Sequence, residues 1–252
     1  MTKRMLGVSL VFAPLSGVSA VWAADKYKGE KSGQEARRLA KAAEVLDEVM
    51  AAPDESIPSD LLSKAECVAV IRGMKKGAIV IGGTFGRGAV SCRSGASQTG
   101  PWGPPSMITI GGGRFGLQLG AQSSDMVMLV MNRKGVDHLL KSQFTLGGDA
   151  TAAAGPKGRY AAAATDATMG AEILTYARSR GLFAGISLQG AVVKADEGAN
   201  LRLYGKAVTA KEVLEEGVLR IPPAAEPFTN ALTKYAPRNL SAKPPLTSAT
   251  KR

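Results

Sequence analysis

The sequence contains little of what catalytic and metal sites are built from. Among its 252 residues there is one histidine, His138, and there are two cysteines, Cys67 and Cys92. A histidine-dependent triad would have to use His138, which stands beside Asp137 on a predicted short helix, as solvated surface residues commonly do. Two cysteines without a nearby histidine provide too few ligands for a metal ion. The sequence therefore predicts a protein that is not an enzyme and has no catalytic residue, metal or cofactor.

Three glycine-rich stretches resemble nucleotide or hydrolase motifs but lack essential parts of them. Residues 111–116 satisfy G-x-G-x-x-G, yet the following residues alternate as a strand, where a dinucleotide site needs a helix N-terminus. Residues 185–190 are one residue too long for G-x-S-x-G. Residues 155–158 lack the length and the Lys-Ser/Thr pair of a P-loop. We therefore predict no nucleotide site and no nucleophile in these stretches.

Acidic residues are missing between Cys67 and Ser124, although six lysines and arginines lie there. The whole chain has a formal net charge of +11. Outside the cell, this charge favours anionic lipid head groups or acidic envelope polymers over nucleic acid as partners. The alternative is that the charge serves only general solubility.

The first 23 residues have the pattern of a secretory signal. Lys3 and Arg4 precede the apolar residues 5–12, and Val21-Trp22-Ala23 provides a cleavage site after Ala23, with cleavage after Ala20 as the alternative. After this segment there is no apolar run of 18 residues that could span a membrane. We therefore expect an exported protein, periplasmic or secreted, that is peripheral to the membrane.

Hydrophobic periodicity predicts an α+β fold with an antiparallel β-rich core, a twisted sheet or a barrel-like one. An amphipathic helix over residues 33–50 precedes the core and packs either on its own domain or on a membrane surface. One domain over residues 24–232 and a flexible, basic tail over 233–252 complete the prediction. Strands are expected at residues 67–72, 78–82, 88–92, 107–110, 115–122 and 126–131 and near 160–165. The run 126–131 is apolar throughout, which is typical of a central strand. A turn at 74–77 joins the first two strands, and Gly82-Gly83 with Gly86 marks the second reversal. A hairpin is expected at 172–178 and 182–194, and short helices at 133–142, around 201–203 and after the capping box Thr209–Glu212.

The two cysteines both lie on predicted strands of one β-rich segment. In an oxidising compartment such a pair is a disulfide candidate. Closing the intervening loop would stabilise the fold by roughly 3 kcal/mol in the chain-entropy model.

The basis for a family resemblance is a series of short blocks spread along the chain. The blocks are residues 65–70, Gly82-Gly83 with Gly86 and Gly88, 102–105, 116–118 with Gly120, 146–149, 154–156 with Gly158-Arg159, 176–179, 181–185, Asp196 with Asn200, and Tyr204-Gly205. In order and spacing, these blocks together resemble the SYLF domain, also described as the Las-seventeen-binding, actin-regulator domain. The resemblance covers roughly residues 34–205. This chain departs from the family pattern at residues 70–72, where Val-Phe-Pro is usual, and at Gly103, where serine is usual.

The resemblance implies a compact α+β lipid-binding module. Eukaryotic relatives bind phosphoinositides and actin, neither of which a periplasm offers, so the expectation for this chain is affinity for anionic lipid. The rival expectation is a structural or protein-interaction module of the periplasm without lipid affinity. The alternatives for two of the apolar candidates named below, Phe183 and Trp102, are packing in the core and packing against the domain, respectively. The candidate lipid contacts are the cations Arg72, Lys75, Lys76, Arg178 and Arg180 and the apolar residues Trp102, Leu182 and Phe183.

Overall fold

A computed structural model describes residues 19–52, 57–77, 83–95, 97–113, 122–156, 170–179, 182–217 and 219–240. The helices are α1 (Ser19–Met50), α2 (Ser59–Lys64), α3 (Arg133–Leu139), α4 (Glu197–Tyr204), α5 (Ala210–Leu214) and α6 (Glu226–Tyr235), with a 3-10 turn at Pro223–Ala225. The strands are β1 (Cys67–Gly77), β2 (Gly83–Cys92), β3 (Ser106–Gly113), β4 (Gln122–Val130), β5 (Gln143–Thr145), β6 (Ala152–Ala154), β7 (Ile173–Ser179), β8 (Leu182–Gly185) and β9 (Val192–Ala195).

The described strands form one strongly curled sheet in the order β5-β9-β3-β2-β1-β4-β7-β6. Neighbouring strands are antiparallel except β6 and β7, which are parallel, and β8 pairs with β7 beyond the end of β6. The predicted fold class, an α+β protein with an antiparallel-rich sheet, is confirmed. Strand β4 lies between β1 and β7, and its apolar residues 126–130 are buried, because the sheet is covered on both faces.

Each face of the sheet carries its own hydrophobic core. Helices α1, α2 and α6 cover one face, where Val68 and Val70 of β1 pack in the same cluster as Leu46. Helices α3 and α5 cover the opposite face, where Ile71 and Met126 are buried. The alternation of side chains along each strand therefore divides residues between a helix α1 face and an α3/α5 face.

The apolar stripe of α1 is buried in its own domain. Leu39, Leu46 and Val49 are fully buried in the core beneath the helix. The prediction of packing on its own domain is thus confirmed, and this face of the helix is not available to a membrane. The helix begins at Ser19, well before the predicted start at residue 33.

The predicted turn at residues 74–77 is wrong, because β1 continues through these residues to Gly77. The predicted arm 182–194 is two separate strands: β8 pairs with β7, whereas β9 pairs with β3 and β5. The predicted strand at 78–82, most of the one at 115–122, and the one near 160–165 lie outside the described residues.

The end of the described chain packs on the core. Helix α6 extends to Tyr235, and Ala236 and Asn239 after it are buried. Residues 233–240 therefore belong to the folded unit, although a flexible tail was predicted from residue 233. Local composition indicated a loose, proline-containing segment, whereas contacts with distant residues hold it in place.

Cys67 and Cys92 form a disulfide between β1 and β2, with 3.9 Å between their Cα atoms. They are register partners on the two strands, and both lie in the core under α3 and α5. The pairing joins two strands that are already adjacent.

Gly155 allows β6 and β7 to lie close together. A Cβ atom at this position would come within 2.0 Å of Cζ of Tyr176 on β7. The Tyr176 hydroxyl donates to the carbonyl oxygen of Pro156 at 3.2 Å, and burial raises the pKa of this phenol. The glycine is therefore required by a close approach between backbone and ring.

Candidate anion-binding surface

A bulge in β1 determines which face its last residues occupy. Between Ile71 and Lys75, β1 contains one residue more than β2. Gly73 within it has φ +66°, a conformation that favours glycine, and its N–H donates to the carboxylate of Asp125 at 2.8 Å. The bulge turns Met74 into the core under α3 and α5 and places Arg72 and Lys75 on the helix α1 face.

Three residues beyond the bulge form what we call the strand-end patch: Lys75, Phe85 and Arg87. Phe85 is the register partner of Lys75 and is 52% exposed. Arg87 lies two residues further along β2 on the same face, with its Cζ 5.6 Å from the centre of the Phe85 ring. Lys75 and Arg87 are exposed, and neither forms an ion pair with another described residue. The patch presents an aromatic ring between two positive charges.

The flank of α1 above this end of the sheet changes sign along its length. Arg37, Lys41, Glu44 and Glu48 recur at helical spacing on one flank. Arg37 and Lys41 are exposed and have no ion-pair partner among the described residues. Because α1 packs across β1 and β2, these two cations add positive charge to the helix that covers the same face of the sheet.

Two of the predicted lipid contacts are already engaged by α1. The guanidinium of Arg72 donates to the carboxylate of Glu44 at 2.5 Å, and that of Arg178 pairs with the carboxylate of Glu48. Asp125 on β4 is the register partner of Arg178 and also holds Gly73 of β1. The two arginines thus lie in one row across β1, β4 and β7, where each is paired with a glutamate of α1.

Of the remaining predicted contacts, Lys75 lies in the strand-end patch. Lys76 follows it on β1, and Leu182 and Phe183 begin β8. Phe183 is the register partner of Arg178. Only the backbone is described for Lys76, Leu182 and Phe183. Arg180 lies outside the described residues. The structure therefore gathers the described members of the predicted set at one end of the sheet, with Trp102 as the exception.

Trp102 is buried, which contradicts the prediction that it contacts lipid. It is 4% exposed, and its Nε1 donates to the carbonyl of Ala236 at 2.9 Å. Arg93, which is 0% exposed, lies with its Cζ 4.2 Å from the centre of the indole ring. The Arg93 guanidinium donates to the carbonyls of Ala65, Ala236 and Arg238. Burial lowers the pKa of Arg93 to about 10, so that the side chain remains charged at neutral pH.

The residues that sequence reasoning missed are Phe85 and Arg87 of the patch and Arg37 and Lys41 of α1. A signal was present in the stretch Gly83-Thr-Phe-Gly-Arg-Gly88, where two large side chains alternate with small residues and so share one strand face. Gly86 was instead taken as part of a reversal, so that the strand was predicted to begin only at Gly88.

Among the described residues, His138 and Asp149 contact different partners. His138 Nε2 lies 3.7 Å from the carboxylate of Glu172, and both side chains are largely buried. Asp149 is exposed and accepts from the Thr145 N–H at 2.7 Å, which lowers the pKa of its carboxyl group. Within the described ranges, no cluster of three His, Cys, Asp or Glu side chains could hold a metal ion.

No helix in the described part of the chain is both long enough and apolar enough to cross a bilayer.

Comparison with known proteins shows which family model and which proteins the chain is similar to. The model of the Ysc84 family, described as "Las17-binding protein actin regulator", matches residues 111–235. LAS seventeen-binding protein 3 of Saccharomyces cerevisiae is 35% identical over 186 residues, 73% of this chain and 39% of that protein. SH3 domain-containing YSC84-like protein 1 of Bos taurus is 33% identical over 204 residues, 80% of this chain and 58% of that protein. The chain thus spans about two to three fifths of the length of these relatives.

Proposed function

Because this chain belongs to the Ysc84 family of Las17-binding actin regulators, the SYLF family, we propose that it is a non-enzymatic binding module that docks on anionic lipid surfaces through the strand-end patch. We further propose, from the sequence of residues 1–23, that it is exported and acts at the bacterial envelope. The family description and the name of the yeast relative, LAS seventeen-binding protein 3, both describe binding, which supports the non-enzymatic part of the proposal.

The observation that carries this proposal is the exposed ring of Phe85 between Lys75 and Arg87. Phenylalanine is among the apolar residues that interfacial segments bury at the boundary between head groups and acyl chains. A lysine or arginine near an anionic bilayer contributes on the order of 1 kcal/mol. Arg37 and Lys41 on the α1 flank add two more positive charges beside the patch.

The proposed sequence of events follows from the ranges of these forces. Electrostatic attraction acts over a Debye length of roughly 8 Å at physiological salt and orients the patch toward the bilayer. The cations then approach lipid phosphates, and Phe85 enters the interface. Binding should therefore weaken with salt, while loss of Phe85 should weaken it at every salt concentration.

Vesicle sedimentation tests the proposal. The full chain is mixed with phosphatidylglycerol vesicles and, separately, with phosphatidylcholine vesicles, at two salt concentrations. The double variant Lys75→Gln/Arg87→Gln should bind phosphatidylglycerol about 30-fold more weakly, the equivalent of two cations. The matched control is Lys134→Gln/Lys211→Gln, which removes two exposed lysines from α3 and α5 on the opposite face.

A parallel pair tests the aromatic contact. Phe85→Ala should weaken vesicle binding, whereas Leu201→Ala, which removes a similarly exposed apolar side chain from α4, should not. Equal binding of the wild type to both kinds of vesicle, or equal effects of patch and control variants, would contradict the proposal.

The name of the yeast relative LAS seventeen-binding protein 3 favours a second candidate, a protein-interaction module. It predicts that the wild type stays unbound to both kinds of vesicle. It also predicts that crosslinking recovers a defined envelope protein, and that this recovery is lost in the Lys75→Gln/Arg87→Gln variant.

A further inference from the structure

The row formed by Arg72, Asp125 and Arg178 contains two arginines that could bind anions. In the free protein, carboxylates of the same chain bind them. The carboxylates of Glu44 and Glu48 bind the two guanidinium groups from α1. Two arginines face three carboxylates, so this half of the sheet end carries one net negative charge. Without the two glutamates it would carry one net positive charge and continue the positive surface of the strand-end patch.

The two glutamates can leave the arginines without movement of the helix. The Glu44 and Glu48 side chains are 58% and 39% exposed, and the arginine side chains are 35% and 29% exposed. Ion pairs exposed to this degree contribute little to stability, since water screens them. Helix α1 is held instead by its buried apolar residues, Leu39 among them. A change of glutamate rotamer is therefore enough to free each guanidinium.

We propose that Arg72 and Arg178 form a second anion subsite, which Glu44 and Glu48 occupy in the free protein and which phosphate groups of anionic lipid take over on binding. This inference rests on the proposed function. It adds that the two glutamates compete with lipid phosphate groups for the arginines on the same surface. A guanidinium N–H donates to a phosphate oxygen as it donates to a carboxylate oxygen, so a phosphate group can replace each glutamate at the same donor. Asp125 stays in place because it accepts the Gly73 N–H.

The test uses glycerol 3-phosphate as the probe and the side-chain Nε–Hε NMR signals of the arginines as the readout. Glu44→Gln should tighten the response of the Arg72 signal about fivefold and leave that of Arg178 within twofold. Glu48→Gln should do the reverse. Asp47→Asn is the charge-matched control, since this carboxylate bonds Lys234 and Tyr235 of α6 on the other flank of the helix.

The outcomes separate this inference from the proposed function. If each glutamate variant tightens the response of its own arginine, the subsite is supported. Equal tightening at both arginines, or the same tightening in Asp47→Asn, would mean that net charge alone acts and would overturn the subsite. Movement of the Arg87 signal alone would overturn the subsite and keep the patch. No movement of any of these signals, together with no sedimentation on phosphatidylglycerol vesicles, would overturn both.

Discussion

Replacement of Arg93 by methionine should destabilise the fold, although it removes a buried charge. The side chain is fully buried, and none of its hydrogen-bond acceptors is a carboxylate. Its donors go to backbone carbonyls of three segments, at Ala65, Gly100 and residues 236–238. Methionine has a similar length and fills the same space without these donors.

The expected loss of unfolding free energy follows from the hydrogen-bond acceptors that the substitution leaves without a donor. The buried Ala65 carbonyl loses its guanidinium donor, which costs about 1–3 kcal/mol. The Gly100 and Arg238 carbonyls lose theirs in partly buried positions, where each loss costs less. The Ala236 carbonyl keeps the bond from Trp102 Nε1. Loss of the contact with the Trp102 ring costs about a further 1–2 kcal/mol. Relief of the desolvated cation offsets part of this sum, so we expect a net loss of about 3 kcal/mol.

Urea denaturation followed by circular dichroism measures this loss. Arg87→Met is the matched control, because Arg87 lies on the same strand but is exposed; it should change the free energy of unfolding by less than about 0.5 kcal/mol. Arg93→Lys should remain close to Arg93→Met, because one ammonium group cannot reach carbonyls of three segments.

A free energy of unfolding within about 1 kcal/mol of the wild type, or above it, would refute the reasoning. It would mean that the cost of burying the cation exceeds the value of its hydrogen bonds. The segment at 236–240 would then be held by apolar contacts rather than by Arg93.

Three further predictions concern stability. Gly155→Ala should destabilise the fold by more than about 3 kcal/mol, because the new methyl group would overlap the Tyr176 ring. The control in the same urea assay is Gly111→Ala, whose methyl group would have its nearest neighbour at 3.6 Å. Reduction of the disulfide should lower the free energy of unfolding by about 3 kcal/mol, measured with and without a phosphine reductant, and two freely labelled thiols in the oxidised protein would contradict it. Hydrogen bonds from α6 lower the pKa of Asp47, so its contribution is present above the unfolded-state pKa and is lost as the pH falls through the folded-state value. The stability difference between wild type and Asp47→Asn should therefore shrink below about pH 4, and a constant difference would contradict this.

Local features of the fold could be predicted because neighbouring residues encode them. The apolar stripe of α1 recurs at helical spacing, and the capping box of Thr209 and Glu212 is present with both of its hydrogen bonds. The continuous apolar run of β4 indicated a central strand, and the structure places it between β1 and β7. The helix at Glu197–Tyr204 was likewise expected near Leu201 and Leu203.

The candidate site was predicted only in part, because its geometry depends on one glycine. The sequence drew attention to Arg72 and Lys75 through their charge, but the bulge at Gly73 decides that both lie on the helix α1 face. A residue count cannot show such a bulge, since the same glycine also suits a turn. Phe85 was missed for the related reason that Gly86 was read as a reversal.

Composition and local spacing are enough to identify the family, the α+β class and the excess of positive charge over residues 67–124. Which of these charges remain available depends on contacts between segments that are distant in the chain. Trp102 is buried because Ala236, 134 residues later in the chain, supplies its hydrogen-bond acceptor. Arg72 and Arg178 are engaged because α1 crosses the sheet with two carboxylates in reach. A side chain is free or occupied according to which distant segment packs above it, and no local pattern records that.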